Sequence, residues 1–277
     1  MKLTVLVDNN TLIGQYFLAE PGLSFLVESE GYRLLFDTGQ SGIFLENAQK
    51  MGISLAELDA VVISHGHHDH TWGLEALARH YVNLQLQKLP HRRPKVVTHP
   101  RTLASISSDS MVEMGPLFSV EKLGKHFPME CSQGTRQLTP QLLYLGEIPR
   151  KNDFEGRQTL GCKEGDSHGD TVPEDSALVY RSKNGLVIIT GCSHSGICNI
   201  VEYAKEVCND SRIVDIVGGL HLQNPSEQQL QGTLHYLRSL GLRQLHACHC
   251  TDLRSKIAMA TVAHIKEVGV GLTLNYE

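Results

Sequence analysis

Short apolar runs rich in Val, Ile and Leu recur at Leu3–Val7, Phe25–Val27, Leu34–Phe36, Ala60–Ile63, Lys95–Thr98, Leu178–Tyr180, Leu186–Thr190, Ile213–Val217 and Arg243–Ala247. Runs of that length and composition predict β-strands. Between several of them, apolar residues return at helical spacing over Gly42–Met51, Gly73–Tyr81, Gly196–Val207, Ser226–Leu240 and Leu253–Val268, which predicts helices. The early half is strand-rich and the later half alternates strand with helix, so the class is α/β with a mixed sheet.

One internal echo refines this. Ser24 to Gly31 followed by Tyr32 to Gly39 resembles Ser176 to Gly185 followed by Leu186 to Cys192. Each reads as a hairpin whose second strand runs into a polar residue and a glycine turn, a place where a rigid sheet presents side chains to a site. Two such halves facing one another predict two sheets with helices outside, an αββα sandwich. Residues from about 100 to 175 differ in texture, carrying Ser, Pro, Gly and charge with few long periodic runs. They predict an insertion or cap between the halves of a single domain spanning residues 1–277.

Composition narrows the function more by exclusion. The 277 residues are 41% hydrophobic and 20% charged, enough for a substantial core without disulfide staples. A formal charge of -5 provides no global positive field for a polyanion, which argues against nucleic acid as the partner. The local basic run His91 to Lys95 reads as a solvated loop, with a small phosphate as the alternative. Seven cysteines, an odd number, form no C-x-x-C pair, so neither a disulfide framework nor a zinc ribbon fits and a reducing compartment is the simpler reading. With no signal-peptide core or membrane-length apolar stretch, the expectation is a cytoplasmic protein acting on a small molecule, with no membrane partner. Its oligomeric state is left open.

The chemistry gathers directly after the strand at Ala60–Ile63. His65, His67, His68, Asp69 and His70 follow Ser64 within six positions, and Trp72-Gly73 leads into a helix. So many imidazole nitrogens and a carboxylate cannot all be satisfied in a core, whereas a shared cation satisfies them together. Neutral imidazole suits Zn²⁺ and similar first-row ions, and the carboxylate adds a harder oxygen that can also hold a water. Spacing divides the labour: His65 and His67 form a pair for one metal, Asp69 and His70 face a second, and His68 is left over, pointing away.

The run Ser64-His-Gly-His-His-Asp-His70 resembles the H-x-H-x-D-H signature of the metallo-β-lactamase superfamily, and Asp37-Thr38-Gly39 resembles its first motif. Further segments, Gly146 to Arg150 with Phe154-Glu155, Thr190 to Gly196, Gly218 to Leu222 and His249 to Thr251, resemble one branch. That branch is the 7,8-dihydropterin-6-yl-methyl-4-(β-D-ribofuranosyl)aminobenzene 5′-phosphate synthases. The likeness runs from about residue 4 to 251. It implies the αββα fold and two divalent ions, Zn first with Mn or Fe as alternatives. The chain also departs from the superfamily pattern: no His-x-x-Gly precedes Ser176, and Cys192 stands about where a bridging Asp is expected.

Several residues compete to complete the two donor sets. Cys192 offers a soft thiolate, against the plain alternative of a packed cysteine. His194 lies in the loop opening a helix, and His221 ends a strand whose paired glycines permit close backbone approach. His249 ends the next strand, where α/β sites gather, as a contact to metal or substrate phosphate. Asp37 orients the histidine cluster through hydrogen bonds, since a metal-bound imidazole usually needs a partner for its other nitrogen. Asp69 and Asp37 are thus the candidate catalytic carboxylates. His249, Glu147 and Arg150 are the candidate substrate contacts, Arg150 as an anion clamp, with a surface ion pair as the alternative for the last two. His168 reads as loop polarity.

A dinuclear site acidifies a bound water and supports hydrolysis of phosphoesters, esters or amides. The branch resemblance implies another use, the joining of a pterin methyl carbon to an aminobenzene ribose phosphate. Three readings therefore stand: a metal-dependent enzyme on a small phosphorylated or pterin-like substrate, a general metallohydrolase such as a phosphodiesterase or lactonase, and a non-catalytic metal or redox sensor.

Overall fold

The apolar runs pair into two mixed sheets stacked face to face. The computed structural model describes residues 1–277. In chain order its elements are β1 (Lys2–Val7), β2 (Ser24–Ser29), β3 (Tyr32–Phe36), α1 (Ile43–Lys50), β4 (Ala60–Val62), α2 (His68–Thr71), α3 (Gly73–Leu86), β5 (Lys95–Thr98), β6 (Ile106–Ser107), α4 (Val120–Leu123), β7 (Met129–Cys131), β8 (Arg136–Gln137), β9 (Leu142–Tyr144) and β10 (Cys162–Lys163). The later half adds β11 (Ala177–Ser182), β12 (Gly185–Thr190), α5 (Ile197–Cys208), β13 (Ile213–Gly219), α6 (Glu227–Leu240), β14 (His246–Cys248), α7 (Leu253–Met259) and β15 (Thr273–Asn275).

The first sheet runs β15-β1-β2-β3-β4-β5-β7 and the second β14-β13-β12-β11-β9-β8, with β10 and β6 forming a separate ribbon. Both echo segments are hairpins: β2 pairs antiparallel with β3, and β11 with β12. From β3 the first sheet continues parallel into β4 and β5, and from β12 the second continues parallel into β13 and β14. Strand alternation accounts for the layering. Phe25, Val27, Leu34, Phe36 and Val62 meet Leu178, Val187, Ile189 and Val217 between the sheets. Leu26, Leu35, Val61 and Ile63 point the other way and pack with Phe44, Leu74 and Leu77 of α1 and α3. Val179, Leu186, Ile188 and Ile216 face Ile200, Leu234 and Leu237 of α5 and α6. The result is the αββα sandwich.

Two expectations change. The stretch from about 100 to 175 is not all cap, because β7 extends the first sheet while β8 and β9 extend the second. These strands are two or three residues long, too short to show a period. What does lie over the site is the β6–β10 ribbon with its flanking loops: Met114 accepts a hydrogen bond from the His68 N–H, and Trp72 Nε1 donates to the Gly115 carbonyl. The buried Lys163 of β10 pairs with Asp170 and Glu174, anchoring the ribbon. The last helix ends at Met259, short of Val268, and the chain then makes a parallel bridge between Leu245 and Ile265. No helix is long and apolar enough to cross a membrane.

Candidate metal centre

Parallel strands in each sheet end at the same edge, and the polar residues that follow them converge there, as expected for α/β sheets. Asp37 follows β3, the histidine run follows β4, Cys192 follows β12, and His221 and His249 follow β13 and β14. Asp37, Ser193, His221 and His249 all have φ between 50° and 62°. Left-handed backbone is costly for residues other than glycine and tends to be kept where a site needs a sharp turn. Here it swings side chains off strand ends into one cleft.

Nitrogens of five imidazoles crowd in that cleft. His65 Nε2 lies 3.0 Å from His67 Nδ1 and 3.2 Å from His194 Nε2. His70 Nε2 lies 3.1 Å from His249 Nε2 and 3.3 Å from Cys192 Sγ. Asp69 Oδ2 sits 3.7 Å from His70 Nε2 and 3.3 Å from His249 Nε2. Three rings are held by their other nitrogen: His65 Nδ1 by Ser64 Oγ at 2.9 Å, His70 Nδ1 by Asp37 Oδ2 at 2.7 Å, and His249 Nδ1 by Asn9 Oδ1 at 3.0 Å. Asp37 also accepts from the Ser64 N–H and hydroxyl, each at 2.7 Å, so one buried carboxylate sets both the strand end and the His70 ring.

Electrostatics agree with a donor site. Burial, then the neighbouring imidazoles, hold His65 and His194 well below the ordinary histidine range, and burial holds His67 down to about 4. These rings are therefore neutral, the form that coordinates a cation. Burial pushes the Asp69 carboxyl upward, but His70 and His249 outweigh it and keep Asp69 ionised. Burial likewise opposes a charge on His249, yet the Asp69 hydrogen bond raises it to about 9.

The donors fall into overlapping sets whose atoms lie within 4.8 Å of one another: His65, His67 and His194; Asp69, His70 and His249; His65, His70 and Cys192; and Cys192, His249 and Cys250. The neutral nitrogens of His65, His67 and His194 facing one another, and the His67 Nε2 buried without a partner, fit a cation between these rings.

The structure redistributes several sequence expectations. His249, with metal and substrate phosphate as its two alternatives, stands among the donors. His221, read as a donor, lies outside these four sets but lines the cleft beside them: its ring lies against His194 with centroids 4.3 Å apart, its Nδ1 is buried without a partner, and its backbone N–H donates to Cys250 Sγ. His68 does not point away but lines the cleft. Arg150 lines neither this cleft nor the neighbouring one, and its guanidinium donates to the Thr171 hydroxyl and the Thr171 and Val172 carbonyls. Glu147 is exposed, 3.6 Å from His99, and does not line the cleft. The reading missed Cys250, whose only signal was its place beside His249, and Arg157, which lines a neighbouring cleft walled by His194 and His221. Glu155 serves the scaffold: it accepts from the Cys198 and Asn199 N–H groups at the start of α5, beside the His194 loop.

The main cleft has a volume of about 530 Å³, and Met114 and Leu160 from the insertion give it apolar lining. No lysine or arginine lines it.

The model of the metallo-β-lactamase superfamily matches residues 18–106. Over nearly its whole length the chain is similar to Tm1679, a structure described as a metal-dependent hydrolase of the β-lactamase superfamily. The two share 30% identity and a TM-score of 0.82 over 99% of this chain and 98% of that one. This chain belongs to the metallo-β-lactamase superfamily. Within that superfamily it is also 28% identical over 270 residues to the 7,8-dihydropterin-6-methyl-4-(β-D-ribofuranosyl)-aminobenzene-5'-phosphate synthase of Methanocaldococcus jannaschii, covering 92% of this chain and 89% of that protein. A diphosphatase from the PhnP family shares the metallo-β-lactamase fold at 18% identity and a TM-score of 0.54, over 100% of this chain and 98% of the other.

Proposed function

We propose that the chain is a dinuclear metal-dependent enzyme acting on a small phosphorylated or pterin-like substrate. The observation that carries this is the adjacency of two donor sets, His65, His67 and His194 beside Asp69, His70 and His249, of which His67, His194, Asp69 and His249 line one cleft and His65 and His70 are buried behind them. The first set holds one ion and the second its neighbour, with Cys192 at the junction. Bound there, divalent ions, Zn²⁺ first, supply an acidified water or a polarised leaving group.

The chain's own residues do the positioning. Asp37 and Ser64 fix the rings of His70 and His65, and Asn9 fixes His249, so that their Nε2 atoms face inward. Asp69 stays ionised on the cleft side and is the carboxylate able to hold a proton or a water at the reacting centre. Met114 and Leu160 give a flat ring an apolar surface and displace water. With no lysine or arginine in the main cleft, the substrate's anionic group is assigned to the donor centre itself, His249 included, or to Arg157 in the adjoining cleft.

The likeness to the Methanocaldococcus synthase supports the pterin-coupling form of this reading, and the likeness to Tm1679 supports a hydrolytic form. Metal-loaded protein is therefore assayed for coupling of a dihydropterin to an aminobenzene ribose phosphate beside a panel of phosphodiesters and lactones. Coupling without hydrolysis supports the first form, and hydrolysis alone replaces it with the second. Metal-loaded protein inert in every assay rejects both.

A further inference from the structure

The sulfur of Cys250 lies next to that of Cys192 at the His249 end of the centre. Cys192 Sγ, Cys250 Sγ and a ring nitrogen of His249 all lie within 4.8 Å of one another. Cys192 also belongs with His65 and His70, so it faces both donor sets, whereas Cys250 is reached from the His249 side alone. Strand β13 leaves room for this sulfur: a Cβ on Gly219 would stand 2.6 Å from Cys250 Sγ and 3.3 Å from the Cys192 Cα. The backbone holds it in place as well. Cys250 Sγ accepts the His221 N–H at 3.2 Å and donates to the Cys192 carbonyl at 3.5 Å. Both cysteines line the wall of the cleft.

Resting on the metal-dependent reading above, we infer that Cys192 and Cys250 together make the His249 side of the centre a sulfur-bearing position, which takes thiophilic ions such as Zn²⁺ and Co²⁺ in preference to Mn²⁺ and Mg²⁺. Thiolate donors favour borderline and soft cations, while Mn²⁺ and Mg²⁺ favour oxygen. Binding breaks two S–H bonds, forms two S–metal bonds and releases two protons to solvent, with no redox change. The chemistry differs from that of a centre built only from imidazole and carboxylate, in which oxygen-seeking ions compete on better terms.

The test uses the full chain, stripped of metal and kept reduced, titrated with Co²⁺ while metal content is measured in parallel. The expected result is a near-ultraviolet sulfur-to-cobalt charge-transfer band that saturates with bound cobalt and falls by about half in C250S. Manganese is expected to be displaced by an equal concentration of cobalt. Bound cobalt without the band, or a band of full intensity in C250S, overturns the two-sulfur position while leaving the metal-dependent reading standing. Protein that binds no Co²⁺, Zn²⁺ or Mn²⁺ overturns that reading itself. The unmutated protein alone answers the first question, so a misfolded variant does not blunt the test.

Discussion

Asp37 Oδ2 lies 2.7 Å from His70 Nδ1, and both side chains are completely buried. The same carboxylate receives the Ser64 N–H and hydroxyl, so it ties the end of β3 to the start of the histidine run. Asp37→Asn keeps the volume but replaces one acceptor oxygen with an NH₂ that opposes its donors. Metal affinity is expected to fall about 10–100-fold, the usual cost of losing a partner of a metal-bound imidazole. Competition with a chromogenic chelator reads this directly, and unchanged affinity would remove Asp37 from the positioning role.

His67→Ala deletes one donor of the His65, His67 and His194 set. Bound metal is expected to drop by one ion per chain and turnover to be lost, with the far-ultraviolet dichroism unchanged. Elemental analysis giving the wild-type metal count would contradict the assignment of these three residues.

The two arginines are expected to separate stability from substrate binding. Arg150→Ala frees the Thr171 and Val172 carbonyls and should lower stability by about 2 kcal/mol, measured by urea denaturation. Arg157→Ala removes an exposed side chain that lines the neighbouring cleft and gives a single hydrogen bond to the Asn152 carbonyl, so it should lower stability by no more than about 1 kcal/mol while raising KM for a phosphorylated substrate. The reverse pattern would restore the clamp to Arg150.

For metal-free protein the signs of the histidine shifts define a stability optimum. His67 is held down to about 4, so its contribution is complete above the unfolded value near 6.5 and is lost as pH falls from there toward 4. His65 and His194 are lowered too and act in the same direction. His249 is raised to about 9, so its contribution is complete below about 6.5 and is lost as pH climbs toward 9. Thermal melting of the stripped protein should therefore peak near pH 6.5 and fall on both sides. A melting temperature that rises steadily from pH 5 to pH 9 would contradict the arrangement.

Much of this was legible in the chain because the signals were contiguous. The strands from Leu3 to Thr98 and from Leu178 to Val217 announced themselves as unbroken apolar runs, and His65 to Asp69 as a dense polar cluster at a strand end. Elements without a period were lost: β7, β8 and β9 draw their stability from neighbours in the sheets rather than from their own two or three residues. Apolar spacing after Met259 read as more helix, yet Ile265 is used in a bridge to Leu245. At the site, roles were harder to read than membership. Arg150 and Arg157 are seven positions apart in one loop-rich stretch, and only tertiary contacts decide that the first is engaged by two carbonyls and a hydroxyl while the second, with one bond to the Asn152 carbonyl, also lines a cleft. A single cysteine such as Cys250 has no spacing to betray it.

His70 and His249 stand 179 positions apart in sequence, yet their nitrogens are 3.1 Å from each other. On the proposed metal-dependent reading, an ion held between them would rivet the two halves together, and it could not be set until the last parallel strands had docked. A fragment ending before β12 owns His65, His67 and His70 but lacks His194 and His249. On that reading the centre would be complete only once both sheets are in place, and turnover would itself report that the sandwich has closed.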